Sequence, residues 1–337
     1  MVTKLHKLET ATVIAEANIA FVKHWGLTEQ SLPITGSLSM NLAACTSQTT
    51  ATPHASTASK DEIKILTPSN TEAVYLDPET STRNLAAYEL VKKIKSSLGF
   101  NGNLEITSTN NFPTSAGIAS SASGFCALTL SVINACGHNW QTFSKDKLVE
   151  MVSWSGSYSA VRSLGQSIVK LNCENNSLEI DEVETDLELV DLIAVVDSSQ
   201  KDHSSLDGHL LAATSPIFKA RCEQTKRNLE LCSKALINNN FSQFKTICEQ
   251  EALMLHSVML TSLPALIYLK PASLDLIEKL HKLSNNLEFA YTIDAGPNIH
   301  IICQKQFEPQ LTKILKTDPT IKELITSPIG KGPRNVT

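Results

Sequence analysis

Between Asn110 and Gly124 the chain reads NNFPTSAGIASSASG, a run of small side chains and hydroxyls leading into an apolar stretch. Small side chains let an anionic ligand approach the backbone, and the start of a helix offers unpaired N–H groups and the positive end of its dipole. The hydroxyls of Ser120, Ser121 and Ser123 add donors for phosphate oxygens, or oxygen ligands for Mg²⁺. No Gly-Lys-Ser/Thr follows, so the run is not a Walker loop. The same composition also suits a capped helix behind a flexible linker. A second Ser-rich run, SGSYSAVRSL (155–164), puts Arg162 three residues after Ser159, on one face if the segment is helical. An arginine fork donates two parallel hydrogen bonds to phosphate or carboxylate, or it is an ordinary charge on a helix surface. Lys23 stands inside an apolar strand pattern, where an unpaired lysine is seldom buried; it is either an edge-strand charge or a group with a partner. Asp294 opens an Asp-Ala-Gly-Pro turn, a setting in which aspartate commonly caps the turn.

The elements that must position these groups follow from periodicity. TVIAEANIAFV (12–22) is apolar and β-branched enough for a strand or strand pair, and GSLSMNLAACTSQTTATP (36–53) alternates hydroxyls with apolar residues as a strand does. A polar turn at 54–60 precedes a hairpin formed by 63–66 and 73–76. The period then becomes helical from Ser81 to Leu98. Residues 104–109 form a strand running into the Ser/Gly loop, and 125–136 a buried helix. A helix covers 144–153, the Ser-rich turn and helix follow, and the acidic stretch 178–186 marks a domain boundary. DLIAVVDSS (191–199) is a buried strand. Helices are expected over 216–238, 241–260 and 271–285, and FAYTIDAGPNIHIICQ (289–304) reads as strand, tight turn, strand. Strand pairs mixed with helix runs argue for an α+β fold rather than a regular alternation of parallel units. At 337 residues, two closely packed domains are the natural division, 1–185 and 186–337.

Composition bounds the function. Apolar residues make up 42% and charged residues 19%, as in an ordinary globular protein. A net charge of -5 gives no basic footprint for nucleic acid or an anionic membrane, so anionic ligands must be gripped by locally placed cations. The eight cysteines are scattered, with no Cys-x-x-Cys pair, which indicates reduced thiols, a cytoplasmic setting and no structural zinc. The N-terminus lacks the apolar core of a signal peptide, and the longest apolar stretch is too short to span a bilayer.

Taken together, these segments are similar to the GHMP small-molecule kinases, and within them most resemble the mevalonate diphosphate decarboxylases. AEANIAFVKHWG (15–26) looks like the opening motif of those enzymes and NNFPTSAGIASSASGF like their phosphate loop. SGSYSAVRSL resembles their Ser/Arg substrate segment, and KDHSSLDGH with TSPIFKAR (201–221) their early C-terminal motif. EQEALMLHSVMLTS (249–262) and YTIDAGPNIHII (291–302) match later blocks. The resemblance implies a two-domain GHMP kinase fold with the active site between the domains, ATP and Mg²⁺ as cofactors, and a homodimer. It implies phosphorylation of the C3 hydroxyl of mevalonate 5-diphosphate, then loss of phosphate and CO₂ to give isopentenyl diphosphate in isoprenoid biosynthesis. It implies that Asp294 orients or deprotonates the C3 hydroxyl beside Lys23. Ser157, Ser159 and Arg162, with His24 and Ser205, would bind the substrate, Arg162 on its carboxylate. Ser108, Asn110, Pro113, Gly117, Ser120, Ser121 and Ser123 would surround the nucleotide, with Ser121 on Mg²⁺ and Ser108 to Asn111 near adenine.

The chain departs from the family pattern at the substrate's far end. Leu27 stands where the family has Lys, Leu206 where it has Arg, His24 for Tyr, His209 for Met and Tyr158 for Gly; Gln166 and Ser167 replace a Gly-Gly pair. Two cations for the 5-diphosphate are thus replaced, with His24, Lys92 and Lys201 as possible substitutes. The alternatives on the same scaffold are a mevalonate 5-phosphate decarboxylase, a mevalonate 3-kinase, or a silent ATP-binding homologue.

Overall fold

The structure is a computed structural model that describes residues 8–54, 60–66, 73–112, 120–199 and 205–336. Pro113, Gly117, Lys201 and most of the turn expected at 54–60 lie outside the described residues. Strands β1 (Ala11–Val22) and β2 (Ser37–Pro53) form a long antiparallel pair, followed by β3 (Glu62–Leu66) and β4 (Val74–Tyr75). Then come α1 (Thr82–Ser97), β5 (Leu104–Asn110), α2 (Ser120–Ala135), α3 (Lys145–Ser153) and α4 (Tyr158–Arg162). A hairpin of β6 (Ile168–Glu174) and β7 (Ser177–Glu182) leads to β8 (Leu189–Val195). The second half adds α5 (Ser205–Leu211), α6 (Phe218–Ile237), α7 (Phe241–Thr261), α8 (Pro271–Leu283), β9 (Ala290–Thr292), β10 (Ile299–Gln304), α9 (Glu308–Leu315), β11 (Glu323–Pro328) and β12 (Arg334–Asn335).

Two sheets result. The first runs β12-β1-β2-β5-β3-β4, with β6 on β2 and β7 on β6; only β3–β5 is parallel. The second runs β11-β8-β10-β9 and is antiparallel throughout. The mixture is α+β, as the element pattern predicts.

Alternation along β1 changes face at a register shift between Glu16 and Ala17. Before it, Val13 and Ala15 join a core under α1, α2 and α3; after it, Ala17, Ile19 and Phe21 join a second core with Leu38, Met40, Ile193, Phe244 and Ile302. The irregularity is on β2, where residues 43–45 fall between the partners of Glu16 (Thr46) and Ala17 (Leu42); such a bulge bends and twists the strand pair locally. This second core lies between the two sheets and is shared by both halves of the chain. The other face of the second sheet packs against α8 and α9 through Leu276, Leu280, Leu311 and Leu315.

Three outcomes differ from the sequence reading. Helix α2 is already formed at Ser120, five residues before the apolar stretch, because its first turn is made of small buried residues rather than large ones. The acidic stretch at 178–186 is largely strand: β7 pairs with β6 through a turn whose Asn175 and Asn176 have φ of 49° and 60°, the left-handed values that a two-residue hairpin turn needs. The C-terminal segment returns to the first sheet, where Gly332 N–H (2.9 Å) and Arg334 (3.2 Å) bond the buried Glu16 carboxylate and β12 pairs with β1.

Candidate active site

Lys23 follows the last residue of β1, and its Nζ lies 2.5 Å from Asp294 Oδ1, 271 residues away in the chain. The ammonium also donates to Ala20 O (2.7 Å) and is 3% exposed, whereas the Asp294 side chain is 24% exposed. Burial alone would raise the Asp294 pKa, but the charge and hydrogen bond of Lys23 outweigh it. With smaller help from His300 and Arg162, they hold the carboxyl below its ordinary range.

The loop carrying Asp294 is fixed at both ends. Asn298 Oδ1 accepts from Val196 N–H (2.8 Å) and Asp197 N–H (3.0 Å), and Ser273 donates to Pro297 O (2.6 Å). His256 Nε2 lies 3.2 Å from Asp294 O, and burial lowers the pKa of this imidazole to about 4, so it is neutral and donates through Nε2. The end of β1 is anchored by Glu251, a fully buried residue of α7. Its carboxylate accepts from Lys23 N–H (3.3 Å), Arg221 (3.3 Å), Thr225 (3.1 Å) and Asn228 (2.8 Å). Replacing Glu251 by Leu would leave Arg221 buried without its charge partner. We expect a loss of about 3–5 kcal/mol, read as a lower denaturant midpoint at unchanged m-value.

Arg162 ends α4 as a buried cation. Its Nη1 donates to Ser37 (2.7 Å), its Nε to Ser39 (2.8 Å) and its Nη2 to Asn18 (3.1 Å). Burial lowers its pKa to about 10, which leaves it charged at neutrality. Asn18 in turn donates to Ser159 O (2.9 Å) and Ser163 Oγ (2.9 Å), seating the helix on β1. Ser157 and Ser159 have hydroxyls 3.1 Å apart at the start of α4. Asn18, Ser37 and Ser39 were not singled out from the sequence. Their signal was the alternation Ser37-Leu38-Ser39-Met40, whose polar set faces the arginine while its apolar set fills the core.

Near the end of β1 the His24 ring stacks on His209 at 5.0 Å and meets Tyr158 edge-on at 6.3 Å. His209 Nδ1 accepts from Gly26 N–H (3.1 Å). Gly208 lets α5 sit against Trp25, since a Cβ there would be 2.3 Å from the indole. Ser205 is exposed on the first turn of α5, one turn before His209. Beside them a cavity of about 90 Å³ is lined by Gly26, Leu27, Ser31, His209 and Phe218.

The expectation that His24 substitutes for a missing cation fails here. Burial, then the neighbouring His209, Arg162 and Arg221, push its pKa well below the ordinary histidine value, so it is neutral. Burial brings His209 down to about 4 as well. Lys92 lies 76% exposed on α1, paired with Glu89 at 3.9 Å. Leu206 is 43% exposed.

At the residues expected to hold the nucleotide, Ser120 and Ser121 occupy the first turn of α2, and Arg83 of α1, not singled out from the sequence, reaches Ser120 Oγ at 3.5 Å. Ser123 is fully buried and turned inward: its hydroxyl lies 2.7 Å from Ser47 Oγ, which also donates to Asn110 Oδ1 at 2.5 Å. Ser108 pairs with Thr49 at 2.9 Å. Ser120 and Ser121 thus stand in the first turn of the helix, while Ser108, Asn110 and Ser123 bond to β2 beneath it. A hydroxyl is a hard oxygen donor suited to Mg²⁺, but the helix N-terminus and Arg83 repel a bare cation. The donor set fits a metal that arrives bound to phosphate oxygens.

Comparison with known proteins identifies the family. The diphosphomevalonate decarboxylase-like N-terminal domain matches residues 15–182, and the mevalonate 5-diphosphate decarboxylase C-terminal domain matches 191–331. The diphosphomevalonate decarboxylase of Saccharomyces cerevisiae is 31% identical over 86% of this chain and 76% of its own length. That of Candida albicans is 29% identical over 96% and 97%. The structure of MDDEF in complex with MVAPP, AMPPCP and magnesium superposes with a TM-score of 0.85 at 24% identity, covering 97% of this chain and 99% of that one. Both halves, in order and over nearly their whole length, carry the same two domains: this chain belongs to the diphosphomevalonate decarboxylase family.

Proposed function

We propose that the protein catalyses the ATP-dependent decarboxylation of mevalonate 5-diphosphate to isopentenyl diphosphate in the mevalonate pathway. The observation that carries this reading is the Lys23–Asp294 pair, whose carboxylate is 24% exposed and lies within electrostatic reach of the buried Arg162. Asp294 accepts a hydrogen bond from the C3 hydroxyl and aims its oxygen at the terminal phosphorus of ATP. The new O–P bond forms as the bond to the ADP oxygen breaks, and the hydroxyl proton passes to Asp294. Its depressed pKa makes it a weak base, so this transfer comes late. The C3–O bond then breaks with phosphate leaving. The C1–C2 bond supplies the electron pair of the new C2=C3 double bond, and CO₂ departs. Lys23 neutralises charge on the transferring group, and Arg162 holds the C1 carboxylate in an ionised state. Ser120 and Ser121 hold the nucleotide phosphates and contribute oxygen to Mg²⁺, which neutralises phosphate charge when bound. MDDEF has been solved with MVAPP, AMPPCP and magnesium, which supports the assignment.

We assign the nucleotide to residues 1–185 and the second domain to 186–337; the break between the two family matches, 182 to 191, supports that division. A cytoplasmic setting is supported by eight unpaired cysteines, and a homodimer by exposed apolar side chains such as Leu263 and Ile267. Among the described residues no helix is long and apolar enough to cross a membrane.

One observation favours a second reading at the substrate's far end. Leu27 lines the cavity there, and the nearby His24 and His209 are neutral. A charge-assisted contact to phosphate is worth roughly 1.5–3 kcal/mol. Mevalonate 5-phosphate, or mevalonate itself, would lose less by these replacements than the diphosphate does. ADP and CO₂ measured with ATP and each of the three acids distinguish the readings. ADP without CO₂ would identify a 3-kinase, and neither product from any of them a silent homologue. Leu27→Lys should lower KM for the 5-diphosphate by roughly tenfold to a hundredfold while leaving that for mevalonate unchanged.

A further inference from the structure

A second buried acid–base pair lies behind the site. His300 Nδ1 is 2.6 Å from Asp191 Oδ2, and the two side chains are 1% and 0% exposed. Both stand in the second sheet, on the face that otherwise supplies apolar residues to the core between the sheets. On β8, Leu189, Ile193 and Val195 share the parity of Asp191; on β10, Ile302 shares that of His300. Each strand therefore gives up one apolar position to an ionisable group. Two polar atoms of the pair, Asp191 Oδ1 and His300 Nε2, have no hydrogen-bond partner among the described residues. Such groups are costly in an apolar setting, and apolar residues of similar volume are often equal or better for stability. Packing does not account for them.

Register shows where the pair leads. His300 is directly opposite Thr292 on β9, and Asp294 lies two residues further on with the same parity. Thr292 donates to Ala20 O (3.1 Å), the same carbonyl that accepts from Lys23 Nζ (2.7 Å). A polar stripe therefore runs along one sheet face from Asp191 through His300 and Thr292 to the Lys23–Asp294 pair. The titratable groups facing it from the packed elements are Cys45 of β2 and Cys248 and His256 of α7, the last neutral and bonded to Asp294 O, with Cys303 beside it on β10. Burial pushes all three thiols up to about 12, so none carries charge near neutrality. Lys23, Asp294 and Arg162 are the charged groups beyond Thr292.

We infer that Asp191 and His300 are positioning residues for Asp294, a buried acid–base pair set under the β9–β10 loop that keeps the reactive carboxylate ionised and in register. The inference rests on the proposed function for its role in turnover but not for its electrostatic content. Burial raises the Asp191 pKa against the opposing charge of His300, in keeping with a pair held at a cost to stability.

The decisive variant is Asp191→Val/His300→Leu, with Asp191→Asn/His300→Gln as the uncharged pair that can still hydrogen-bond. The carboxyl of Asp294 is followed by carbon NMR against pH, alongside thermal melting and turnover. The apolar variant should melt at or above the wild-type temperature, yet its Asp294 should titrate at higher pH. Its kcat should fall by roughly tenfold to a hundredfold, with KM for ATP unchanged. The Asn/Gln pair should recover part of kcat. A merely structural pair would instead lower the melting temperature and leave the titration in place, and an Asp294 titration matching wild type in either variant overturns the inference. If the apolar variant does not fold, the Asn/Gln pair carries the same readouts. Wild-type protein that releases no CO₂ would overturn the proposed function, while the NMR titration still decides the role of the pair.

Discussion

Asp294→Asn is expected to lower kcat by roughly 10³–10⁴-fold while ATP binds as in the wild type. The substitution keeps size and one acceptor oxygen, so Lys23 Nζ, now 2.5 Å from the carboxylate, retains a neutral partner. What disappears is the charge that, in the proposed reaction, orients the C3 hydroxyl and takes its proton. The stability cost is about 1–3 kcal/mol, that of weakening one charge-assisted hydrogen bond. The nucleotide's phosphates are assigned to the first turn of α2, on a different element, so titration calorimetry with Mg·ATP should give an unchanged affinity. Stopped-flow measurement of ADP separates the phosphoryl-transfer step from CO₂ release, and both should be lost together because Asp294 acts at the first. A variant that still formed ADP at the wild-type rate would remove Asp294 from phosphoryl transfer.

Residue types in this chain were informative, but their meeting was not. Lys23 in an apolar strand and Asp294 in a Gly-Pro turn each admitted a bland explanation, and no local pattern links positions 271 residues apart. The family resemblance joined them, and the fold brings them into direct contact. Periodicity disclosed β1, β2, the long helices α6 and α7, and the alternation of Ser37 to Leu42. It did not disclose that the polar half of that alternation holds Arg162, because that depends on where α4 docks. The β6–β7 hairpin was legible in principle: Ser177-Leu-Glu-Ile-Asp-Glu alternates, and the Asn-Asn pair before it suits a tight turn. Its acidic content outweighed that pattern. Strand β12 is two residues long and is held by tertiary bonds: Gly332 and Arg334 donate to Glu16, and Asn134 and Trp140 to Asn335 Oδ1. The charge of His24 was misjudged for a similar reason, since burial beside Arg162, Arg221 and His209 is a tertiary fact.

Lys23→Met exposes the coupling that makes the site work. Methionine matches the length of the lysine but donates nothing, so Asp294 loses the charge and hydrogen bond that now outweigh its burial. The largest remaining influence is desolvation, which raises a carboxyl pKa. In the wild type the folded-state pKa is depressed, so ionised Asp294 contributes stability above the unfolded carboxylate pKa, and that contribution is lost as pH falls through the folded value. In the variant the folded value is raised. The contribution is then present below the unfolded pKa and lost as pH rises through the folded one, so for this group the slope of stability against pH changes sign. Turnover should fall by roughly 10²–10³-fold, the loss typical of one donor to developing negative charge, and the remaining activity should decline toward acid pH as Asp294 protonates. Lys23→Arg should not rescue it. The ammonium is 3% exposed and bonded to Ala20 O, and a planar guanidinium cannot meet that carbonyl and Asp294 from the same space. Melting curves and rates collected across pH on the same preparations test both halves. A wild-type pH dependence of stability in Lys23→Met would mean that the lysine does not govern the charge of Asp294.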